Sequence, residues 1–236
     1  MGLVKLLLFD IDGTLLLPKG AGRAALIDAL VTLFAHEPPL AERLRERVTT
    51  HVFGGKTDWY TLVELLAAEN YSADQIADLI KSLDPVMGES MARVVSRYDV
   101  QPCIGGLETI AALKQRDDVR LGLVTGNVRS SAPIKLKAAG YQPEDFPIGA
   151  FGNDAIERND LPRLAFERAY AHYQCAFDPQ NVIVIGDTLA DIACARASGF
   201  AAAAVCTGFA HRDELAAASP DWLLDDLRDF SRVVLA

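Results

Sequence analysis

The sequence predicts an α/β protein: a parallel sheet with helices on both faces and a helical insert after the first strand. Three observations predict it. Short apolar runs ending in glycine or polar residues recur at 4–9, 120–124, 182–185 and 201–205. Helix-patterned stretches separate the later runs, and buried strands alternating with helices imply parallel pairing with both faces covered. Residues from about 20 to 98 instead place apolar side chains at three- and four-residue spacing, with no strand among them.

The first strand ends in LLLF and delivers Asp10 and Asp12. Residues two apart on an extended chain project the same way, so the carboxylates converge. Two bare carboxylates at that distance repel and need a cation or a shared proton between them. LPKGAG at 17–22 then leads away and QPCIGG at 101–106 leads back. Proline and paired glycines suit connections that redirect the chain and can act as hinges. Between them AALIDALVTLFAH, TLVELLAAEN and ADQIADLIKSLDPVMGESMARVVSRY carry helical periodicity. The expected division is a core of residues 1–17 and 101–236 and an insert of 18–100. Within the returning core, helices are expected at 107–115, 130–139, 161–173 and 190–197, with weaker strands at 148–151 and 222–224.

Composition narrows the function classes. The 236 residues are 50% hydrophobic and 23% charged, an ordinary globular balance, and the formal net charge is −9. That charge argues against a nucleic-acid groove or an anionic membrane surface as the main partner. A small phosphorylated ligand is still compatible, because it feels the local field of a metal and a few N–H groups. Cys103, Cys175, Cys194 and Cys206 show no metal-type spacing, which predicts reduced, buried thiols and a cytoplasmic protein. The opening MGLVKLLLF is too short for a signal peptide and is broken by Asp10 and Asp12, and Leu6 stands where a myristoylation signal needs Ser or Thr. No stretch is long enough to span a bilayer.

Three polar clusters follow three strands: Asp10-Ile11-Asp12-Gly13-Thr14, Thr125-Gly126-Asn127, and Gly186-Asp187-Thr188 with Asp191 beyond. In a parallel sheet these ends share one edge, where ligands bind. The insert leaves from that edge and is expected to overhang it. The glycines permit tight turns and close approach to a bound oxyanion. Alone, Asp-x-Asp-Gly-Thr reads more readily as an Asx turn with an N-cap, and Thr125 or Asp191 as a cap or surface residue. Asp187, after a buried strand, instead needs a partner.

Together FDIDGT, VTGN and VIGDTLADIACA resemble the haloacid dehalogenase-like superfamily, mostly phosphatases, over essentially the whole chain. The likeness is to phosphoglycolate-phosphatase-type members with a type-1 helical cap. It implies a Rossmann-like core and a Mg²⁺-dependent phosphatase acting on a small phosphorylated metabolite. Asp10 would be the nucleophile that forms an aspartyl-phosphate, and Asp12 the general acid and base. Mg²⁺ would be held by Asp10, the main-chain carbonyl of Asp12 and Asp187, with Asp191 bracing that shell. Thr125 would bind a phosphoryl oxygen, with Thr14, Gly126 and Asn127 beside the substrate. A β-phosphoglucomutase-like transfer and a non-catalytic phosphate-binding module are the alternatives that share these residues.

One departure stands out. The family's usual lysine before the helix preceding the third cluster is missing, and no lysine follows Lys137. Arg158, in GNDAIERNDLPRLAFERA, is the expected substitute and Arg163 its competitor. In the insert, FGGKTDWYTL at 53–62 reads either as a loop feeding a helix N-cap or as a carrier of Lys56 to the substrate. His36, His51, His172 and His211 are scattered and read as surface or packing residues.

Overall fold

The LLLF run offers no polar side chain to water, and it forms most of β1 (Lys5–Phe9), a central strand. The computed structural model describes residues 4–235, so the Met1-Gly2 start read for targeting signals lies outside the described residues. Around β1 stand β4 (Val119–Val124), β5 (Ile148–Ala150), β6 (Val182–Gly186), β7 (Ala201–Val205) and β8 (Trp222–Leu224). They order as β5-β4-β1-β6-β7-β8, and every pairing is parallel.

Alternation along the strands separates two cores. Leu7, Phe9, Leu121 and Ile183 face one layer, packed by α5 (Gly106–Leu113), α6 (Ala132–Ala138) and α10 (Phe230–Val234). Leu6, Leu8, Val182 and Val184 face the other, packed by α7 (Leu161–Tyr173), α8 (Leu189–Ala197) and α9 (Arg212–Ala217). Leu6 to Phe9 are all fully buried, each contributing roughly 1.5–3 kcal/mol of hydrophobic stabilisation.

Between β2 (Leu16–Leu17) and β3 (Gln101–Pro102) lie α1 (Ala21–Leu33), α2 (Pro38–Thr50), α3 (Asp58–Leu66) and α4 (Ala73–Val94). These four helices build their own core from Leu26, Leu30, Leu44, Leu62, Ile80 and Met87. Ser72 and Gln75 cap α4 reciprocally, and the Thr57 side chain caps α3. β2 pairs antiparallel with β3, drawing the insert's two connections together. Two-residue strands are too short for any periodicity, and the sequence showed only turns there.

The insert docks through the first turn of α3, whose N–H groups have no partners within their own helix. Asp58 N–H donates to the Gly126 carbonyl at 2.8 Å and Trp59 N–H to the Gly152 carbonyl at 3.0 Å. The Asp58 carboxylate accepts from Val128 N–H at 2.8 Å, and Thr57 Oγ1 donates to the Ile156 carbonyl at 2.6 Å. Asp84 of α4 adds a second clasp, accepting from Ser130 N–H at 2.9 Å and Asn153 Nδ2 at 3.0 Å. Cys103 and Cys194 are buried free thiols as expected, while Cys175 and Cys206 are only half-buried. No helix among the described residues is long and apolar enough to cross a membrane.

Candidate active site

Register explains why the three clusters meet. Phe9 pairs with Leu123 on one side and Ile185 on the other, so the residues that follow each strand emerge side by side. Asp10 N–H extends the ladder by donating to the Ile185 carbonyl at 2.9 Å. The chain then doubles back, with Gly13 N–H donating to the Leu16 carbonyl at 2.7 Å. Gly13 has φ +91°, and a Cβ there would lie 2.3 Å from Asp187 Oδ2, so only glycine fits.

The carboxylates of Asp10, Asp187 and Asp191 are buried, each with an oxygen within 4.8 Å of the others. Asp187 Oδ1 accepts from Thr14 Oγ1 at 3.0 Å, and its Oδ2 accepts from Phe209 N–H at 2.8 Å. Asp191 Oδ2 accepts from Thr188 N–H at 3.0 Å and Thr188 Oγ1 at 2.6 Å. Buried Arg158 bridges the group, with Nη2 2.5 Å from Asp191 Oδ1 and 3.1 Å from Asp10 Oδ1. Arg163, its competitor in the sequence, is exposed and pairs with Glu167 at 3.2 Å. Only Arg158 reaches the cluster.

Burial pushes the Asp10 carboxyl up to about 7, against the pull of Arg158 and with the help of Asp191 and Asp12. Burial likewise pushes Asp187 up to about 8, with Asp191 and Asp10 adding to it. Such a cluster of hard oxygen donors is short of positive charge and fits a divalent cation. Of the three, Asp191 takes the closer contact with the Arg158 cation, 2.5 Å against 3.1 Å for Asp10.

A pH signature follows. Without a cation, folded Asp10 and Asp187 keep protons that the unfolded chain has released near 3.8. The folded state then binds more protons than the unfolded state, so its stability falls as pH rises through the folded values. In EDTA, Tm is expected to fall from about pH 6.5 to about pH 8. Mg²⁺ should recover more of it at the higher pH, as read by differential scanning fluorimetry. Equal recovery at both pH values would contradict this reading.

Asp12 lives apart from the cluster. Its Oδ2 accepts from Lys135 Nζ at 2.6 Å and Asn127 Nδ2 at 3.0 Å, while its Oδ1 is buried without a partner. Asn127 also donates to Thr125 Oγ1 at 2.8 Å and accepts from Lys135 at 2.6 Å. Thr125 is fully buried and anchored by its N–H on the Ala150 carbonyl at 3.1 Å. At Gly126 a Cβ would sit 2.0 Å from the Lys56 carbonyl, so the insert's loop can lie flat on this turn only because the residue is glycine.

Two sequence expectations need adjustment. Thr14 was expected at the substrate, but it is fully buried and its hydroxyl holds Asp187. Lys56 lines the cavity, yet its ammonium pairs with Glu64 at 2.6 Å within the insert, and its neighbour Thr57 is the N-cap of α3. Lys135 was missed altogether. It is 2% exposed and shares one α6 face with Ala132, Leu136 and Ala139, a three-and-four spacing that was visible in the sequence. Lys135→Met is expected to cost about 3 kcal/mol, the lower end for breaking a buried pair because Asp12 keeps some solvent. Chemical denaturation checks this, and an unchanged midpoint would deny the pair any structural weight.

A cavity of about 450 Å³ separates this floor from the insert. Asp10, Asp12, Thr125, Gly126, Asn127 and Arg158 all line it, and His51 and Phe209 join them unanticipated.

The sequence model of the haloacid dehalogenase-like hydrolases matches residues 4–199. Phosphoglycolate phosphatase 1 of Pseudomonas aeruginosa is 25% identical over 232 residues, covering 96% of this chain and 78% of that protein. Phosphoglycolate phosphatase of Mannheimia succiniciproducens is 25% identical over 242 residues, covering 98% of each. The structure of CbbY from Rhodobacter sphaeroides in complex with phosphate superposes with a TM-score of 0.66 at 20% identity, over 97% of this chain and 96% of that one. At that identity the likeness is one of fold.

Proposed function

Since the chain belongs to the haloacid dehalogenase-like hydrolase family and is a phosphoric monoester hydrolase, we propose that it is a Mg²⁺-dependent phosphatase working through an aspartyl-phosphate on Asp10. The substrate is a small phosphorylated metabolite, and residues 18–100 serve as the lid. One observation carries this reading. Two carboxylates two residues apart have opposite surroundings: Asp10 sits in the acidic cluster beside Arg158, while Asp12 is held separately by Lys135 and Asn127. With a divalent cation among Asp10, Asp187 and Asp191 the Asp10 carboxylate would be the anionic nucleophile, and Asp12 Oδ1, buried without a partner, would be the oxygen left to carry the proton.

An Asp10 oxygen attacks phosphorus, and the bond from phosphorus to the ester oxygen breaks. Asp12 gives its proton to the departing alkoxide and then takes one from the incoming water. That water attacks phosphorus, the Asp10–phosphorus bond breaks, and phosphate and the free alcohol leave. Thr125 donates a hydrogen bond from its hydroxyl to a phosphoryl oxygen, and Arg158 aligns Asp10 while offsetting negative charge beside it. Asp10, Asp187 and the Asp12 carbonyl would hold Mg²⁺, which would supply charge stabilisation at the phosphoryl group. The insert limits bulk water around the site.

The test is phosphate release with Mg²⁺ and with EDTA, followed by rapid-quench mass spectrometry of the peptide containing Asp10. Phosphate trapped on any other residue, or full activity after exhaustive chelation, would sink the scheme. Arg158→Ala is expected to lower kcat about a hundredfold, the scale for losing one charge-stabilising donor. Arg158→Lys should recover part of that, and Arg163→Ala, on a side chain 74% exposed, should leave kcat within about twofold. The reverse order for the two alanine variants would put Arg163 in the site.

A further inference from the structure

The Asn127 side chain ends in an oxygen and a nitrogen, and which way they point decides what its neighbours can do. The Lys135 ammonium can only donate hydrogen bonds. It reaches Asn127 Oδ1 at 2.6 Å, so that end of the amide accepts and Nδ2 is the donor. Nδ2 in turn donates to Asp12 Oδ2 at 3.0 Å and to Thr125 Oγ1 at 2.8 Å. Turned over, the amide would set two donors against each other at Lys135 and two acceptors against each other at Asp12.

At Thr125, Oγ1 also accepts from the Asn127 N–H at 3.3 Å. Both bonds use the oxygen, so the hydroxyl hydrogen is left for a phosphoryl oxygen in the cavity that Thr125 lines. At Asp12, Lys135 and Asn127 both fall on Oδ2, and Oδ1 is left buried without a partner. The ammonium that orders this comes from α6 and is 2% exposed. Gly22, in the first turn of α1, lies over it, since a Cβ there would stand 3.1 Å from Nζ. Out of bulk water such charge-assisted bonds are strong and hold one arrangement.

We infer that Lys135 is a positioning residue that sets the direction of the hydrogen bonds at two reacting side chains: it turns Asn127 so that Thr125 donates, and it occupies Asp12 Oδ2 so that Oδ1 is presented to the leaving group. This rests on the phosphatase reading above and deepens it. Lys135 acts through Asp12 and Asn127 and not on the substrate.

The test measures kcat and KM for ethyl phosphate and p-nitrophenyl phosphate, and inhibition by inorganic phosphate, using the whole protein with Mg²⁺. Lys135→Met keeps most of the side chain's length and removes every donor. It is expected to lower kcat for ethyl phosphate on the order of a hundredfold, the lower scale for a positioned acid–base group. p-Nitrophenolate leaves without a proton, so its ester should lose much less. The phosphate inhibition constant should rise about tenfold, the scale of one hydrogen bond to a charged group. Lys135→Gln, whose amide can still donate, should recover part of each loss. Asn127→Ala separates the two arms: it should raise the phosphate constant but leave the ratio between the esters close to wild type, because Asp12 keeps Lys135.

If Lys135→Met lowers both esters by one factor and leaves phosphate inhibition unchanged, the inference is overturned and the phosphatase reading stands, because a loosened fold does not choose between leaving groups. Should Lys135→Met not fold, Lys135→Gln and Asn127→Ala decide, and the inference stands only if both raise the phosphate constant. No phosphate release from either ester by the unaltered protein overturns both.

Discussion

Asp10→Asn is expected to reduce turnover of p-nitrophenyl phosphate on the order of a millionfold, the scale on which an enzymic nucleophile is lost. The amide has nearly the same shape, so packing around β1 is preserved, but it offers no anionic oxygen for phosphorus. Unfolding is not an alternative explanation, because the sign of the stability change runs the other way. The surroundings of Asp10 raise its pKa from 3.8 to about 7, which means that they disfavour the charged form. At about pH 8 in EDTA the neutral variant should therefore melt at or above the wild-type Tm. A variant that is dead and also melts well below wild type would mean that Asp10 holds the fold together, and the nucleophile assignment would lose its support.

Asp12→Asn is the second large effect, a loss of roughly 10²–10⁴-fold, the range for removing a positioned acid–base group. Its signature differs from that of Asp10→Asn. An amide can still accept hydrogen bonds from Lys135 and Asn127, so inhibition by inorganic phosphate should change little. The loss should also depend on the leaving group. An alkyl phosphate needs its alkoxide protonated and should suffer the full loss, whereas p-nitrophenolate leaves readily without a proton and should suffer less. Equal losses with both esters would remove Asp12 from the leaving-group step.

The sheet was largely legible because burial on both faces turns its strands into short apolar runs, and even the weak runs at 148–151 and 222–224 became β5 and β8. Strand-end clusters were legible for a related reason: a carboxylate directly after a buried run has to meet something. Asp10, Asp187 and Arg158 do come together, and Arg158 was found because the chemistry needed a cation where none of the expected type stood. Lys135 was not found, because a lysine inside an amphipathic helix reads as solvent-facing unless its position on the apolar stripe is checked. It is tolerated in the interior only because two oxygens meet its ammonium, and those arrive from other elements. Some of the cavity's lining was equally hidden. Leu26 and Met87 carry the same periodicity as their helices' core residues, and Phe209 stands in a loop that has no period at all.

β2 and β3 have a bearing on how such proteins diversify. Leu17 and Gln101 face each other across a two-residue antiparallel ladder, so the chain leaves and rejoins the sheet domain at neighbouring points, roughly one strand spacing of about 5 Å apart. Everything threaded between them is an excursion that returns to its origin, and its length and content put no tension on β1. A two-residue turn could close the same ladder as a hairpin, and so could an entirely different set of helices. The carboxylate cluster and the insert's face of the cavity are thus encoded in separable stretches of chain. One can be exchanged by splicing at a fixed pair of positions while the other is inherited unaltered, so selectivity can drift across descendants while the reacting groups stay put.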